Sequence, residues 1–256
     1  TTPFTPLQRR LAVGIAQMGS MALANARLVE EAQHASQLKT EFVSTMSHEL
    51  RTPLSVILGY TDMLDDDALD PDERRQMLAR IRRAGFELFE MIEATLNIGR
   101  LEAGRDPACI ETVDVSAVLD ELAAEFAAVH QSPSTALRWR HAPGIVLDTD
   151  RRKLRMILKN LVANALKFTP SGEVRVETTT RGDRCAFAVN DTGVGIAADR
   201  LPVIFDMFRQ GDSSDSRSYG GVGLGLYIVQ RLLDQLGGDI AVASALGRGS
   251  AFTVTL

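Results

Sequence analysis

An almost unbroken helical pattern from about residue 7 to residue 105 constrains this fold more than any other feature of the sequence. Apolar side chains recur there at alternating spacings of four and three residues, which is typical of a coiled-coil seam or a packed helix. The first series runs through Leu11, Ile15, Met18, Ala22, Asn25, Val29 and Ala32. The polar Asn25 is tolerated in such a seam and can fix the register of paired helices.

Two further helical patterns follow and predict an antiparallel hairpin. The apolar positions of the earlier helix are Phe42, Met46, Leu50, Ile57 and Leu64, and those of the later helix are Met77, Ile81, Ala84, Leu88, Met91, Ile92 and Leu96. The later helix has a start signal, because Asp70 can cap it, Pro71 suits its first position and Glu73 completes a capping-box-like arrangement. It is expected to end near Gly104, before Pro107.

The apolar stripes of this hairpin are too extensive for two helices to bury against each other. Two hairpins packed as a four-helix bundle would cover both stripes, so the pattern predicts a homodimer. The alternative is that the stripes dock on the C-terminal half of the same chain.

From about residue 106 the pattern changes to mixed helix and strand. β-like runs occur at 145–147, 173–179, 184–190 and 250–256, and helical patterns occur at 115–129, 150–167 and 223–236. This combination predicts an α/β sandwich, in which helices cover one face of a sheet. We therefore expect an N-terminal helix at 1–37, a helical hairpin domain at 38–105 and an α/β domain at 106–256.

Composition and charge exclude several classes of protein. No run of roughly eighteen apolar residues is present, so the sequence predicts no membrane contact. The net charge is −5 and the basic residues do not cluster, which argues against a nucleic-acid partner. Cys109 and Cys185 are far apart and predict a reducing compartment, the cytoplasm, rather than a disulfide framework. Because the chain opens with Thr1, we interpret it as part of a longer protein.

His48 is predicted to lie on the exposed face of its helix. At 100° per residue it is about 200° from the stripe positions two residues before and after it. Thr52 lies one turn further on the same face, Glu49 is the adjacent carboxylate, and Pro53 is expected to bend the helix. Neutral imidazole has a free ring nitrogen, so His48 beside a carboxylate is a usable nucleophile. For the histidine considered alone, an ordinary surface residue is the alternative.

Three polar side chains share one face of the helix predicted at 150–167. Asn160, Asn164 and Lys167 recur at spacings of four and three residues. Two amide oxygens and an ammonium suit Mg²⁺ bound with phosphate, because magnesium prefers oxygen ligands and lysine supplies positive charge. The polar outer face of an amphipathic helix is the alternative.

The segment Asp191-Thr-Gly193-Val-Gly195 directly follows a β-like run. A carboxylate accepts hydrogen bonds, so Asp191 could take the exocyclic amine of adenine, whereas it would repel the keto oxygen that guanine presents there. The two glycines allow the backbone to approach a ligand closely. A tight turn is the alternative. Further on, Phe205 and Phe208 lie three residues apart and either anchor the polar loop behind them or simply pack in the core.

A glycine-rich segment opens the helix predicted at 223–236 and contains Gly221, Gly223, Gly225 and Leu226. Backbone amides at such a helix start bind phosphate. A polar loop rather than a strand precedes this segment, and no Gly-Lys-Ser/Thr follows. It is therefore neither a dinucleotide fingerprint nor a P-loop.

Together these features resemble the catalytic core of sensor histidine kinases. The string Ser47-His-Glu-Leu-Arg-Thr-Pro-Leu54 resembles their phosphoacceptor box residue for residue. The segments 160–169, 191–196, 204–209 and 221–227 resemble, in order and spacing, the N, G1, F and G2 boxes of their ATP-binding domain. The resemblance covers residues 38–256, and residues 11–35 are similar to the last helix of a GAF sensor domain or to a plain signalling helix.

The resemblance implies a Bergerat-type α/β sandwich, shared with Hsp90, MutL and gyrase ATPases, after a hairpin that forms a four-helix bundle in the dimer. It implies that His48 is phosphorylated, that Glu49 assists the kinase step and that Thr52 positions water for dephosphorylating a partner. In the nucleotide site Asn164 would ligate Mg²⁺ with Asn160 nearby. The remaining residues implied in binding ATP are Lys167, Phe168, Asp191, Gly193, Gly195, Phe208, Arg217, Gly221, Gly223, Gly225 and Leu226, with residues 209–222 as an ATP lid.

The implied activity is autophosphorylation of His48 by ATP, followed by transfer of the phosphoryl group to an aspartate of a response regulator. The resemblance also allows phosphatase activity toward that regulator and implies an upstream sensor domain. Two alternatives belong to other classes of protein. A GHKL-type ATPase clamp would explain the nucleotide motifs but not the His48 string, and a scaffold would bind nucleotide without phosphotransfer.

Overall fold

The structure is a computed structural model that describes residues 5–64, 69–104, 106–129, 134–182, 184–207 and 223–256. The chain divides into two compact units, residues 1–52 and residues 53–256. Within the described ranges, no helix is both long enough and apolar enough to cross a membrane.

The unit 1–52 consists of the first part of one long helix, α1 (Pro6–Leu64). The helix joins two helical patterns that were predicted separately, the seam from Leu11 to Ala32 and the stripe from Phe42 to Leu64. Three of the predicted seam positions, Ile15, Met18 and Val29, are exposed, with more than half of each side chain's surface open to solvent. Apolar side chains exposed at seam spacing mark a face that a second helix can cover.

The unit 53–256 begins with the remainder of α1 and with α2 (Pro71–Glu102), which form a helical hairpin. The start of α2 confirms the predicted signal, since Pro71 is its first residue and the Asp70 backbone N–H donates to Oε2 of Glu73 at 3.4 Å. Near the turn, Nη1 of Arg80 donates to the hydroxyl oxygen of Tyr60 at 2.9 Å and joins the two helices.

Helix α2 carries two apolar stripes with different surroundings. Ala84, Met91 and Ile98, which are spaced seven residues apart, are buried. The second stripe is exposed and consists of Leu78, Phe86, Phe89, Ile92 and Leu96. We refer to these five residues as the exposed α2 stripe. An apolar surface of this kind on a helix is typical of a protein–protein interface.

The α/β domain is built on a five-stranded sheet with the strand order β2-β4-β5-β7-β6. Its strands are β2 (Thr135–Arg140), β4 (Gly172–Arg181), β5 (Arg184–Asp191), β6 (Asp239–Ser244) and β7 (Ser250–Thr255). β2 runs parallel to β4, and all other neighbours are antiparallel. A separate two-stranded ladder pairs β1 (Glu111–Asp114) with β3 (Val146–Thr149).

Three helices complete the domain: α3 (Val115–Val129), α4 (Arg151–Lys167) and α5 (Gly225–Leu236). Alternate residues of the central strands are buried, including Val174, Phe187 and Val254, and α4 and α5 pack on the sheet. This is the predicted α/β sandwich with one covered face.

The chain that connects α2 to β1 is fixed to the N-terminus of α4. The side chain of Lys153 is 1% exposed, and its Nζ donates to Oδ2 of Asp106 at 2.8 Å and to the Asp106 carbonyl oxygen at 3.0 Å. The hydrogen bond from Lys153 is the main cause that lowers the pKa of Asp106, and Arg152 adds to it. Asp150 caps α4 and also accepts the backbone N–H of Cys109 at 2.9 Å.

Replacing Lys153 by methionine is expected to reduce the free energy of unfolding by about 3 kcal/mol, the lower end of the range for breaking a buried ion pair. The lower end applies because Asp106 keeps Arg152 as a partner. Denaturation by urea, followed through the fluorescence of the single tryptophan, Trp139 in β2, measures this loss.

The matched control is Lys159→Met in the same helix, where the half-exposed lysine pairs with Glu125 at 2.6 Å. An exposed pair contributes less than about 1 kcal/mol, so equal losses in the two variants would contradict the role of Lys153. The Lys153 effect should also shrink in acid. Because the pKa of Asp106 is lowered in the folded state, its contribution to the free energy of unfolding is fully present above the ordinary aspartate pKa of about 4. That contribution is lost as the pH falls through the lowered pKa of the folded state.

Candidate functional site

His48 is exposed on α1, whereas Met46, two residues before it, is buried. This confirms the prediction that the imidazole faces solvent. Glu49 is half-buried beside it, and Thr52 is exposed one turn further, where its hydroxyl donates to the His48 carbonyl oxygen at 3.4 Å. The helix continues through Pro53, and the bend there remains a prediction.

The structure brings Asn160 and Asn164 of α4 to the first residue of α5. A Cβ atom on Gly225 would lie 3.1 Å from Oδ1 of Asn160 and 3.5 Å from Nδ2 of Asn164. Because Nδ2 of Asn160 donates to the Met156 carbonyl oxygen at 2.8 Å, its amide oxygen is the atom turned toward Gly225. The shared face predicted from spacing is therefore present, and glycine lets the start of α5 approach it.

Lys167 is the last residue of α4, on the same face as the two asparagines. Its Nζ lies 4.9 Å from the centre of the Phe168 ring. Burial lowers the pKa of Lys167, and the negative charges of Glu90 and Glu87 on α2 oppose that shift. A lysine at this end of α4 supplies the positive charge that a phosphate group requires.

Asp191 ends β5 and is held by three hydrogen bonds. Its Oδ1 accepts the backbone N–H of Gly193 at 2.8 Å, and both the backbone N–H and the hydroxyl of Ser250 donate to the carboxylate. Burial raises the pKa of Asp191, and these three hydrogen bonds oppose the rise. Two carboxylate oxygens offer about four lone-pair positions, so the group can accept one further donor, such as the amine of adenine.

The turn after Asp191 packs against the end of α4. The backbone N–H of Val194 donates to the Phe168 carbonyl oxygen at 3.1 Å, and a Cβ atom on Gly193 would lie 2.1 Å from that oxygen. Gly195 has a φ of 68°, a conformation that favours glycine. Phe168 and Gly193, which the resemblance assigned to the nucleotide site, are thus neighbours in space.

Sequence reasoning missed the loop that fixes Asp191 from the other side. Ser250 opens β7, and the residue before it, Gly249, has a φ of 80°. A Cβ atom on Gly249 would lie 1.9 Å from the Asp191 carbonyl oxygen, so only glycine fits there. The hydroxyl of Ser244 accepts the Ile196 N–H at 2.8 Å and lies 3.0 Å from the Ser250 hydroxyl. The available signal was the Gly-x-Gly pattern at 247–249 before the last strand.

Part of the predicted glycine loop and lid falls beyond what the structure describes. Phe208, Arg217, Gly221 and the lid at 209–222 lie outside the described residues. Gly223 has a φ of 70°, Gly225 opens α5, and Leu226 is half-buried in its first turn. The helix predicted from residue 223 therefore begins two residues later.

The donor set on α4 fits magnesium bound together with a nucleotide. Among the described residues, no group of three or more His, Cys, Asp or Glu side chains is arranged to hold a metal ion. Mg²⁺ in nucleotide sites takes only one or two protein oxygens and completes its shell with phosphate and water. The amide oxygens of Asn160 and Asn164 supply that kind of ligand.

Two families match this chain in succession. Residues 38–104 match the His Kinase A (phospho-acceptor) domain, and residues 149–256 match the histidine kinase-, DNA gyrase B-, and HSP90-like ATPase family. The sensor protein GacS of Pseudomonas syringae pv. syringae is 37% identical over 235 residues, which cover 89% of this chain and 26% of GacS. The chain spans about a quarter to a half of the length of the curated relatives that it matches.

Two solved structures share the architecture. Full-length ShkA in complex with AMPPNP is 32% identical, with a TM-score of 0.61 over 84% of this chain and 45% of ShkA. ThkA in complex with the response regulator protein TrrA has a TM-score of 0.66 over 84% of this chain and 60% of ThkA, and its 19% identity shows a common fold. With the phosphoacceptor helix and the ATPase sheet each matched to its own domain family, the chain belongs to the sensor histidine kinases.

Proposed function

We propose that this chain is the catalytic core of an ATP-dependent protein histidine kinase that phosphorylates its own His48. One observation carries the proposal. An exposed histidine within a complete phosphoacceptor string occurs in the same chain as an α/β domain in which Asn160 and Asn164 lie beside Gly225 and the Asp191 carboxylate accepts the Gly193 N–H.

Each nucleotide group has a counterpart in the α/β domain. Asp191 accepts the exocyclic amine of adenine, and Lys167 meets a phosphate group. Backbone amides at the start of α5, near Gly225, bind phosphate oxygens. Asn164, with Asn160 beside it, would hold Mg²⁺, which when bound neutralises charge on the phosphates.

In the phosphoryl transfer, a ring nitrogen of His48 attacks the γ-phosphorus in line with the bond to the β–γ bridging oxygen. The nitrogen–phosphorus bond forms as that bond breaks, and ADP leaves with the bridging oxygen. The proton on the imidazole passes to the neighbouring Glu49 carboxylate, which also orients the ring. Catalysis is therefore mainly positioning and neutralisation of charge.

The phosphohistidine then transfers its phosphoryl group to an aspartate of a response regulator. Thr52 is exposed on the His48 face, where its hydroxyl can position water for a separate reaction, hydrolysis of the regulator's phosphoaspartate to aspartate and inorganic phosphate. The fold shared with ThkA, whose complex with a response regulator has been solved, supports this class of partner.

The direct test is incubation with Mg²⁺ and γ-labelled ATP, with α-labelled ATP as the control. The expected product is a labelled protein from γ-labelled ATP alone, with a linkage that is stable in base and labile in acid, as a phosphoramidate is. ATP turnover without such a product would instead indicate a clamp ATPase, and binding without turnover would indicate a scaffold.

We propose that the kinase is a homodimer that pairs two helical hairpins through the exposed α2 stripe. Replacing Phe89, whose side chain is 61% exposed in the single chain, by glutamate would bury two unpaired charges at the interface. The dimer dissociation constant should then rise at least roughly 100-fold, measured by sedimentation. Leu246→Glu is the matched control, because Leu246 is also mostly exposed, at 73%, but lies in the α/β domain. A dimer as stable as the control would exclude this interface.

An upstream sensor domain would act through α1. Ile15, Met18 and Val29 are exposed at coiled-coil spacing, and two copies of α1 would cover them in parallel. The use of ATP and the two free cysteines, Cys109 and Cys185, support a cytoplasmic location.

A further inference from the structure

The end of α2 is hydrogen-bonded to α5. The hydroxyl of Tyr227 donates to Oε1 of Glu102 at 2.5 Å, and Nε of Arg231 donates to the Tyr227 hydroxyl oxygen at 2.9 Å. Nε of Arg231 also lies 3.4 Å from Oε1 of Glu102. Burial, and then the hydrogen bond to Glu102, raise the pKa of Tyr227, so its hydroxyl keeps its proton at neutral pH. These three side chains form the α2–α5 cluster.

The chain is fixed a second time only four residues later, where Asp106 pairs with the buried Lys153 of α4. Between the two attachments lie residues 103–105, of which 103 and 104 are described. Gly104 has a φ of 61°, a conformation that favours glycine. If the attachment to α5 opens while Asp106 stays paired, any rotation between α2 and the α/β domain is therefore confined to this short segment.

The two attachments differ in how easily they open. Lys153 is buried, and breaking a buried pair is strongly destabilising. The side chains of Glu102 and Arg231 are 49% and 46% exposed, and exposed ion pairs are weak and screened by salt. The α2–α5 cluster should therefore open while Asp106 stays in place.

The cluster lies beside the elements that would bind the phosphates. Tyr227 is in the first turn of α5, two residues after Gly225. The negative charges of Glu87 and Glu90 on α2 act on Lys167 and favour its charged form. Closure of α2 on the α/β domain thus presents acidic side chains to the lysine that a phosphate group needs, which opposes phosphoryl transfer in the closed arrangement.

We propose that the α2–α5 cluster is a reversible latch, that Asp106 with Lys153 is the fixed pivot, and that opening of the latch limits the rate of autophosphorylation. The inference rests on the proposed kinase activity. A domain that carries ATP to a histidine on another helix must move, and a contact that stabilises one closed arrangement slows that movement.

Two variants open the latch without disturbing the packing. Tyr227→Phe removes the hydroxyl and keeps the ring, and Glu102→Gln removes the charge. Each should increase the initial rate of autophosphorylation at saturating ATP about three- to tenfold, with an ATP dissociation constant within about twofold of wild type. The double variant should be no faster than the faster single variant, because both remove the same contact.

The control is Asp234→Asn, which removes the 3.7 Å ion pair of Arg231 within α5 and leaves Glu102 untouched. Its rate should equal that of wild type. Amide hydrogen exchange at residues 103 and 104 gives a second readout, and it should accelerate in both latch variants. Unchanged or lower rates together with unchanged exchange would overturn the latch. If wild type fails to phosphorylate itself, the kinase proposal fails and the rate-limiting role fails with it. Hydrogen exchange then still tests the contact itself, because accelerated exchange supports an α2–α5 cluster that opens and unchanged exchange overturns it.

Discussion

Replacing His48 by glutamine is expected to reduce the incorporation of label from γ-labelled ATP by a factor on the order of 1,000 or more. Glutamine has a similar size and polarity but offers no ring nitrogen with a free electron pair, so no bond to phosphorus can form. His48 is exposed on α1, which means that the substitution removes no buried contact. Acid-labile label, resolved by electrophoresis at neutral pH, is the quantity to measure.

The matched control for this variant is His141→Gln in the α/β domain, where Nε2 of His141 lies 3.1 Å from Oδ1 of Asp120. That variant should keep the label. Affinity for ATP should be unchanged in His48→Gln, because no residue of the proposed ATP-binding site is altered. Equal acid-labile labelling of His48→Gln and wild type would place the phosphoacceptor elsewhere.

Replacing Asp191 by asparagine should weaken ATP binding about 10- to 100-fold, since a hydrogen bond to a charged group contributes about 1.5–3 kcal/mol. The amide cannot satisfy every partner. Whichever way it is turned, its NH₂ group faces a donor: the Gly193 N–H, the Ser250 donors or the amine of adenine. Calorimetric titration with Mg²⁺ and a non-hydrolysable ATP analogue measures the loss.

The control for the carboxylate is Asp199→Asn, a substitution of the same kind at a side chain that is 78% exposed. It should leave affinity for the analogue unchanged, and equal affinities for the two variants would exclude Asp191 from the adenine site. A pH series adds a second check on wild type. Because burial raises the pKa of Asp191, acidification should weaken binding from a pH above the ordinary aspartate pKa of about 4.

The helical half of the fold was predictable because its signals are local. Periodicity over dozens of residues predicted α1 and α2, and Asp70, Pro71 and Glu73 marked the start of α2. The same holds for much of the site. Asn160 and Asn164 share a face by spacing alone, and the exposure of His48 follows from its angle to the stripe.

Features that depend on distant partners were not predictable from local patterns. The edge strand β2 contains Arg138 and Arg140, and these charged residues interrupt the apolar pattern that would indicate a strand. Their partners Glu173 and Glu177 are on β4. Three strands, β1, β2 and β6, were missed, and in β6 alanines occupy the exposed positions 241 and 243, so the apolar–polar alternation of a half-buried strand is absent. Lys153 resembles any helix-surface lysine until the fold brings Asp106, 47 residues away, to its ammonium.

The pair between Lys153 and Asp106 also sets the limits of a transplantable module. Chimeric kinases that graft this ATP-binding domain onto another phosphoacceptor hairpin need a junction, and β1 at Glu111 is the obvious first secondary-structure boundary. A junction there would remove Asp106, so the buried Lys153 ammonium would lose both its acceptors, the Asp106 carboxylate and the Asp106 carbonyl oxygen. A junction at Gly104 instead keeps donor and acceptors within one exchangeable piece, because the portable unit must include Asp106, which lies five residues before the first strand of the domain.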